Sequence, residues 1–166
     1  MAEIRTDLLL LPSVLDRLID NDPQVHLEAS ASRNQLLRDL KQAVRRDLEN
    51  LLNTRIRCIS WPAELPELRQ SVVNYGIPDL TGTPLASSRE REEFRRTIQS
   101  VILLYEPRLK KLKVTLGDQA DAIDRTIRFR LEAILQAEPA PEPVAFDSTL
   151  RLTTGSFEVK GQSDAG

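Results

Sequence analysis

A glutamate and an arginine separated by one proline, Glu106-Pro107-Arg108, are the residues whose types and spacing most clearly suggest chemistry. They follow a stretch with helical periodicity, and a proline disfavours helical geometry in the residue before it. The helix should therefore end at or near Glu106, which leaves a carboxylate at the negative end of the helix dipole. On an extended backbone the two charged side chains would point to the same side. Glu106 therefore needs a cation, either Arg108 or one on another protein.

Catalysis by a nucleophile or a metal is poorly supported by the other residue types. A Cys–His pair would require Cys58 and His26, the only cysteine and the only histidine, to meet by chance, and no Gly-x-Ser-x-Gly motif occurs. Six glycines are scattered singly, so no phosphate-binding loop is indicated, and clustered metal ligands are lacking. We therefore expect no catalytic residues, no metal, no cofactor and no small-molecule substrate, with His26 on the surface.

Glycoside hydrolysis by two carboxylates is the remaining enzymatic alternative. It needs one protonated and one ionised acid a few ångströms apart. The candidate acids are Glu64, Glu67, Asp79 and Glu106. A chain with 25 acidic residues offers such pairs by chance, and most of its seven Trp, Tyr and Phe residues lie in predicted core stripes. A muramidase that cleaves peptidoglycan stays open as the rival function.

Length and composition predict one ordinary globular domain. A chain of 166 residues is long enough for a substantial core, and 40% hydrophobic with 29% charged residues is typical of soluble proteins. A net charge of -2 argues against general nucleic-acid binding. A single cysteine excludes an internal disulfide and suits a reducing compartment. The apolar run Leu8 to Leu11 is too short to span a bilayer and lacks the features of a signal peptide, so we expect a cytosolic protein without membrane insertion.

Two amphipathic helices are predicted to position the Glu-Pro-Arg segment. The first spans about Ser32 to Asn53, and the second starts at about Ser88 behind a capping box formed by Ser87 and Glu90. The polar side of the first helix is rich in Lys and Arg, which is typically solvated charge, with contact to an acidic partner as the alternative. The apolar stripes are Leu36, Leu37, Leu40, Val44, Leu48, Leu51 and Leu52 on the first helix, and Phe94, Ile98, Val101, Ile102 and Tyr105 on the second.

Strands follow Pro107, because the period of the apolar residues changes from helical to alternating. Leu112–Leu116 and Ile127–Leu131 each have one apolar and one cationic side, and between Arg108 and Arg130 there are seven Lys and Arg residues against three Asp. A second alternating pair surrounds Leu150 and Phe157. Helices first and strands last predict an α+β fold, with N-terminal helices on one face of a mostly antiparallel C-terminal sheet. Between the helices, Gly76 predicts a backbone angle that other residues avoid.

Composition further divides the chain into segments. The predicted segments are a docking segment at 1–30, an α+β core at 31–136, a Pro/Ala-rich linker at 137–145, a C-terminal hairpin at 146–160 and a disordered tail at 161–166. The first segment contains a short predicted helix around Leu18 that either packs on its own domain or docks into a partner. The hairpin either completes the chain's own sheet or pairs with a strand of another protein.

Several motifs together resemble TssE, the baseplate wedge subunit of type VI secretion systems. The resemblance covers about Leu10 to Val159. The motifs, in the same order as in that family, are Pro12 to Asp20 with Asp22-Pro23, Leu52 to Arg55, Ser71 to Asp79, and Tyr105 to Leu109.

The resemblance implies a non-catalytic structural subunit of a contractile-tail baseplate. Such a subunit lies in the cytoplasm, in a baseplate docked at the inner membrane complex, where it binds other wedge proteins and nucleates the contractile sheath around the inner tube. In that family the Glu-Pro-Arg element is implicated in contacts to wedge partners. The expected partner-binding residues are Tyr105, Glu106, Pro107, Arg108, Tyr75, Gly76, Leu150 and Phe157. A small regulatory binding module stays open as a third alternative.

Overall fold

Within the described residues, two helices and a four-stranded sheet form the fold, which confirms the predicted α+β class. The computed structural model describes residues 32–56, 64–80, 87–117, 126–137 and 140–161, together with Leu18. The helices are α1 (Arg33–Asn53) and α2 (Ser88–Tyr105), with two short 3-10 turns at Pro66–Gln70 and Val72–Asn74 between them. The strands are β1 (Leu109–Leu116), β2 (Thr126–Leu135), β3 (Glu142–Arg151) and β4 (Ser156–Gly161), and they form one antiparallel sheet in the order β1-β2-β3-β4.

Some of the sequence predictions concern residues outside those ranges. They include the docking segment 1–30 except Leu18, the isolated His26 and Cys58, and the tail beyond Gly161. Leu18 itself is helical and exposed.

Both helices begin at side-chain caps that the sequence supplies. The Ser32 hydroxyl accepts a hydrogen bond from the Gln35 N–H at 3.3 Å and so caps α1. At α2 the Glu90 N–H donates to the Ser87 hydroxyl at 3.2 Å, and the Ser87 N–H donates back to the Glu90 carboxylate at 2.9 Å. The predicted capping box and both predicted helix boundaries are therefore confirmed.

The core lies between the two helices and one face of the sheet. Helix α1 packs against β4, and α2 packs against β1. Phe129 in β2 lies at the centre, with its ring edge-to-face to Phe94 of α2 at 5.9 Å and to Phe157 of β4 at 6.0 Å between centroids. Alternation along each strand sends the apolar side chains to this core and the charged side chains to the opposite face.

The start of β3 corrects the prediction of a linker over residues 137–145. Residues 142–145 belong to the strand, and Glu142 pairs with Leu135 of β2. The prolines misled the prediction, since a strand tolerates proline where its N–H would face an unpaired edge. Strand β4 ends at Gly161, opposite Phe146, so no strand in the described part of the chain pairs with the side of Pro143 that faces away from β2. The predicted hairpin is therefore part of the same sheet as β1 and β2.

A short parallel bridge joins the end of α1 to the segment after the second 3-10 turn. The Ile77 N–H donates to the Thr54 carbonyl at 2.9 Å, and the Ile56 N–H donates to the Ile77 carbonyl at 3.0 Å. Gly76 reaches this bridge with φ +120°, which confirms the predicted unusual backbone angle. A Cβ atom at this position would lie 2.5 Å from the Thr54 carbonyl oxygen.

Replacing Gly76 by alanine should destabilise the protein by about 2–4 kcal/mol, because backbone strain and a steric clash with Thr54 add. Urea denaturation of both proteins measures the change in unfolding free energy. Gly161→Ala is the matched control, since its Cβ would meet only an ordinary contact at 3.9 Å from Arg45. Equal stabilities of the two variants would contradict the proposed need for glycine at position 76.

Candidate functional site: a buried ion cluster at the end of α2

The Glu-Pro-Arg segment forms a tight turn between α2 and β1. The Glu106 N–H still donates to the Ile102 carbonyl at 2.8 Å, and the Leu109 N–H closes the turn on the Glu106 carbonyl at 3.2 Å. The predicted extended backbone is therefore wrong, because this hydrogen bond between positions i and i+3 bends the chain. The predicted helix end at Glu106 is confirmed, and the side chains of Glu106 and Arg108 do lie on the same side.

Arg108 neutralises Glu106 directly. Its Nε donates to Glu106 Oε1 at 2.6 Å, its Nη2 donates to Oε2, and its backbone N–H also donates to Oε1 at 3.2 Å. Glu106 is only 4% exposed, so this two-pronged contact compensates a carboxylate that water hardly reaches. The hydrogen bonds from Arg108 to Glu106 raise the pKa of the guanidinium above its ordinary value; burial opposes this shift and Asp47 adds to it.

Asp47 of α1 completes the cluster. Arg108 Nη2 donates to Asp47 Oδ2 at 2.6 Å, and Arg46 donates to the other oxygen of this carboxylate at 3.2 Å. The Arg108 carbonyl accepts the Gln136 N–H at 2.8 Å, just beyond β2. The Asp47–Arg108–Glu106 cluster thus joins α1, the end of α2 and the sheet. Sequence reasoning missed Asp47, which lies 61 positions before Arg108.

Two tyrosines pack beside this cluster. The rings of Tyr75 and Tyr105 meet edge-to-face with centroids 5.2 Å apart, and the Tyr105 hydroxyl donates to the Ser71 carbonyl at 3.4 Å. Burial raises the pKa of Tyr75, and the negative charges of Asp47 and Glu106 raise it further. The structure therefore brings together six of the predicted partner-binding residues, which are Tyr75, Gly76, Tyr105, Glu106, Pro107 and Arg108.

Four exposed apolar side chains lie close in sequence to the residues of the tyrosine pair. Val72 and Val73 directly follow Ser71, which accepts the Tyr105 hydroxyl, and Leu103 and Leu104 directly precede Tyr105. All four are exposed, with Val72 at 85%. We call these four residues the apolar rim. Exposed large apolar side chains often mark protein interfaces, and sequence reasoning had not identified these four.

The other two predicted partner-binding residues, Leu150 and Phe157, lie in the core. Leu150 is 0% exposed and Phe157 is 4% exposed. Their side chains are thus part of the chain's own packing and stand apart from the ion cluster. A partner could reach these positions only through the strand backbone, and their role in binding stays a prediction.

Side chains of α1 cover the outer edge of β4. The Asn53 amide donates to the Phe157 carbonyl and accepts the Phe157 N–H, both at 2.9 Å, as a neighbouring strand would. Arg45 donates to the Val159 carbonyl at 3.0 Å. After α1, Arg55 donates to the Gly155 carbonyl in the β3–β4 turn. These contacts were also missed, because each joins residues about a hundred positions apart.

The described residues offer neither a cluster of metal ligands nor a helix that could span a membrane. In the described ranges, no group of three or more His, Cys, Asp or Glu residues is placed to hold a metal ion. Neither α1 nor α2 is long and apolar enough to cross a membrane.

The fold and the cluster define a small α+β scaffold in which a partly buried arginine joins two helices to a sheet. Residues 38–140 match the family described as baseplate wedge protein gp25, and the chain therefore belongs to this family. This match confirms the resemblance that the sequence motifs indicated.

Similar proteins of known structure or curated description fall into two groups. The fold is similar to a chain in the baseplate complex from the type VI secretion system, with a TM-score of 0.50 and 19% identity over 75% of this chain and 97% of that one. The sequence is 37% identical to the anti-adapter protein IraD of Salmonella arizonae, over 65% of this chain and 77% of the relative. It is 34% identical to IraD of Salmonella paratyphi A, over 60% and 72%.

Replacing Arg108 by alanine should lower the unfolding free energy by about 3 kcal/mol, because it leaves Glu106 buried without a cation. Urea denaturation measures the loss. Arg130→Ala is the matched control: Arg130 also contacts two carboxylates, Glu132 and Asp147, but on the open sheet face, where the expected loss is below about 1 kcal/mol. Similar losses in both variants would show that the cluster is no more important than a surface ion pair.

Proposed function

We propose that this protein is a non-catalytic structural subunit of a type VI secretion baseplate, which binds other wedge proteins in the cytoplasm beneath an inner-membrane complex. The observation that carries the proposal is that the residues matching the gp25 wedge family contain the whole Asp47–Arg108–Glu106 cluster. The similarity of the fold to a chain of the type VI baseplate complex supports the same class of assembly.

The geometry suggests how the ion cluster serves binding. Glu106 is buried and its carboxylate is already hydrogen-bonded by Arg108, so a partner cation would have to displace a residue of the same chain. We therefore assign Glu106 and Arg108 the task of fixing the turn. Contact with wedge partners then falls to the exposed neighbours, which are Pro107, the outer side of Tyr105 and the apolar rim.

The sheet also supports a role in sheath assembly, through one of its two edges. Because Asn53 and Arg45 cover β4, the β1 edge is the better candidate to receive a strand. The Gly117 N–H donates to the Arg128 carbonyl of β2, so the backbone groups of Gly117 face β2. The Leu112 carbonyl faces away from β2 and accepts a hydrogen bond from the Gln99 side chain. Strand alternation then directs the N–H and C=O groups of Val114 and Leu116 away from β2. We propose that a sheath strand pairs here, in place of the C-terminal hairpin, for which the sequence left pairing with the sheath open as one of two alternatives.

A regulatory binding protein is the second candidate, and the 37% identity to the anti-adapter protein IraD favours it. The muramidase alternative has no comparable support. Glu64, Glu67 and Asp79 are exposed, and Glu106 is engaged by Arg108, so none of the candidate acids has the apolar enclosure and free carboxyl group that the general acid needs.

Purification of the tagged chain from cells that assemble the secretion system should recover other wedge proteins. The double variant Val72→Asp with Leu104→Asp should lose them, because it places charges in the apolar rim, while its stability should barely change at these exposed positions. Ser100→Asp, one turn before Leu104 on the same helix, is the control and should retain the partners. Recovery of a regulatory protein without any baseplate subunit would favour the second candidate. Undiminished wedge binding by the double variant would refute the assigned surface.

Sheath elongation should depend on the N–H of Leu116, which points away from β2. Leu116→Pro removes this outward donor without breaking a bond to β2, whereas Leu116→Ala removes a similar part of the side chain and keeps the donor. We expect fluorescently labelled sheaths to elongate with the alanine variant and to fail with the proline variant, both of which should still co-purify with wedge proteins. Normal elongation with the proline variant would exclude strand pairing at this position.

A further inference from the structure

A cleft of about 240 Å³ lies between α1 and the first residues of β3. One wall carries Arg38, Lys41 and Arg45 of α1, and the other is formed by Pro143–Phe146, with Gly161 at the end of β4. The cleft exists because β4 ends opposite Phe146, whereas β3 begins at Glu142. Over Glu142–Ala145, β4 therefore does not fill the space between α1 and β3.

The side chains that line the cleft carry an excess of positive charge, all of it on the wall formed by α1. Among the described residues, three cations and no carboxylate line the cleft, although the chain as a whole has a net charge of -2. Arg45 is held by Glu49 at 3.1 Å, and Lys41 reaches Glu142 at 3.3 Å in a half-exposed pair. The Arg38 guanidinium donates to the Gln35 side-chain oxygen and has no carboxylate partner within the described ranges.

We propose that this cleft binds an acidic segment of another subunit in the assembly. Carboxylates of that segment would approach Arg38 and Lys41, and an adjacent large apolar side chain would lie against Pro143–Phe146. Charge complementarity and the apolar second wall support this occupant over a solvated surface. The inference rests on the proposed function, since it takes the partner from the same assembly.

The residues that follow Gly161 in the sequence are the alternative occupant. Gln162 to Gly166 contain one acid, Asp164, and no large apolar side chain. Asp164 offers a carboxylate for the cations of α1, but these residues offer no large apolar side chain for Pro143–Phe146. They are therefore a poorer fit to the cleft than a segment that has both.

Photo-crosslinking in cells that assemble the secretion system tests this inference. A benzoylphenylalanine probe at Gln42, which lines the cleft, should crosslink to a baseplate or sheath subunit, and the crosslinked peptide should contain Asp or Glu next to a large apolar residue. Adding Arg38→Glu and Lys41→Glu should lower the yield of this crosslink by about tenfold. The control pair Arg89→Glu and Arg96→Glu makes the same charge change on exposed positions of α2 and should leave the yield unchanged.

The outcomes separate the cleft from the proposed function. A crosslink to residues 162–166 of the same chain, an equal yield from the cleft variant, or no crosslink from a chain that still co-purifies with wedge proteins would each overturn the inference alone. A chain that never co-purifies with any baseplate subunit would overturn the proposed function itself.

Discussion

The ion contact between Arg108 and the carboxylates of Glu106 and Asp47 is the constraint on which the arrangement of the helices depends. Pro107 ends α2 and forces a turn, which leaves Glu106 buried at a helix end where a negative charge is unfavourable. Arg108 neutralises Glu106 through Nε and Nη2, and Nη2 also donates to Asp47 on α1. One guanidinium therefore fixes the exit of α2, the entry of β1 and the position of α1 relative to both.

The position of α1 in turn decides which parts of the sheet remain available. With α1 held at Asp47, its last turn brings the Asn53 amide against the Phe157 backbone, and Arg55 reaches the carbonyl of Gly155. The β4 edge of the sheet is thereby occupied, because these side chains make the backbone hydrogen bonds that a neighbouring strand would otherwise make. In β1, the left-handed residue Lys111 and a register shift separate the pairing of Leu109 and Lys110 with β2 from the longer paired stretch Lys113–Leu116. The β4 edge is thus covered, whereas the β1 edge keeps a stretch of strand that can pair with another strand.

Sequence reasoning succeeded where the determining interactions are local. The capping box of α2, the unusual backbone at Gly76 and the meeting of Glu106 with Arg108 all depend on residues within a few positions of each other. It failed where distant segments meet: nothing near Glu106 points to Asp47, and no pattern links Asn53 to Phe157, 104 positions later. The start of β3 was missed for a different reason. Pro143 is compatible with a strand only because β4 ends before reaching it, which is a property of the assembled sheet.

The Glu106 carboxylate already accepts its hydrogen bonds from Arg108 of the same chain. This changes the role in binding that the Glu-Pro-Arg motif suggests. An exposed acid and base could each form ion pairs across an interface, and the motif alone suggested such a joint between proteins. In the folded chain both charges are already paired, so exchanging Arg108 for a partner's cation would gain little and would leave Asp47 as the remaining carboxylate partner of Arg108. In the proposed binding mode, exposed apolar side chains such as Leu104 and Val72 supply the association energy. The charged residues then provide rigidity, because a turn fixed before binding loses little conformational entropy when a partner arrives.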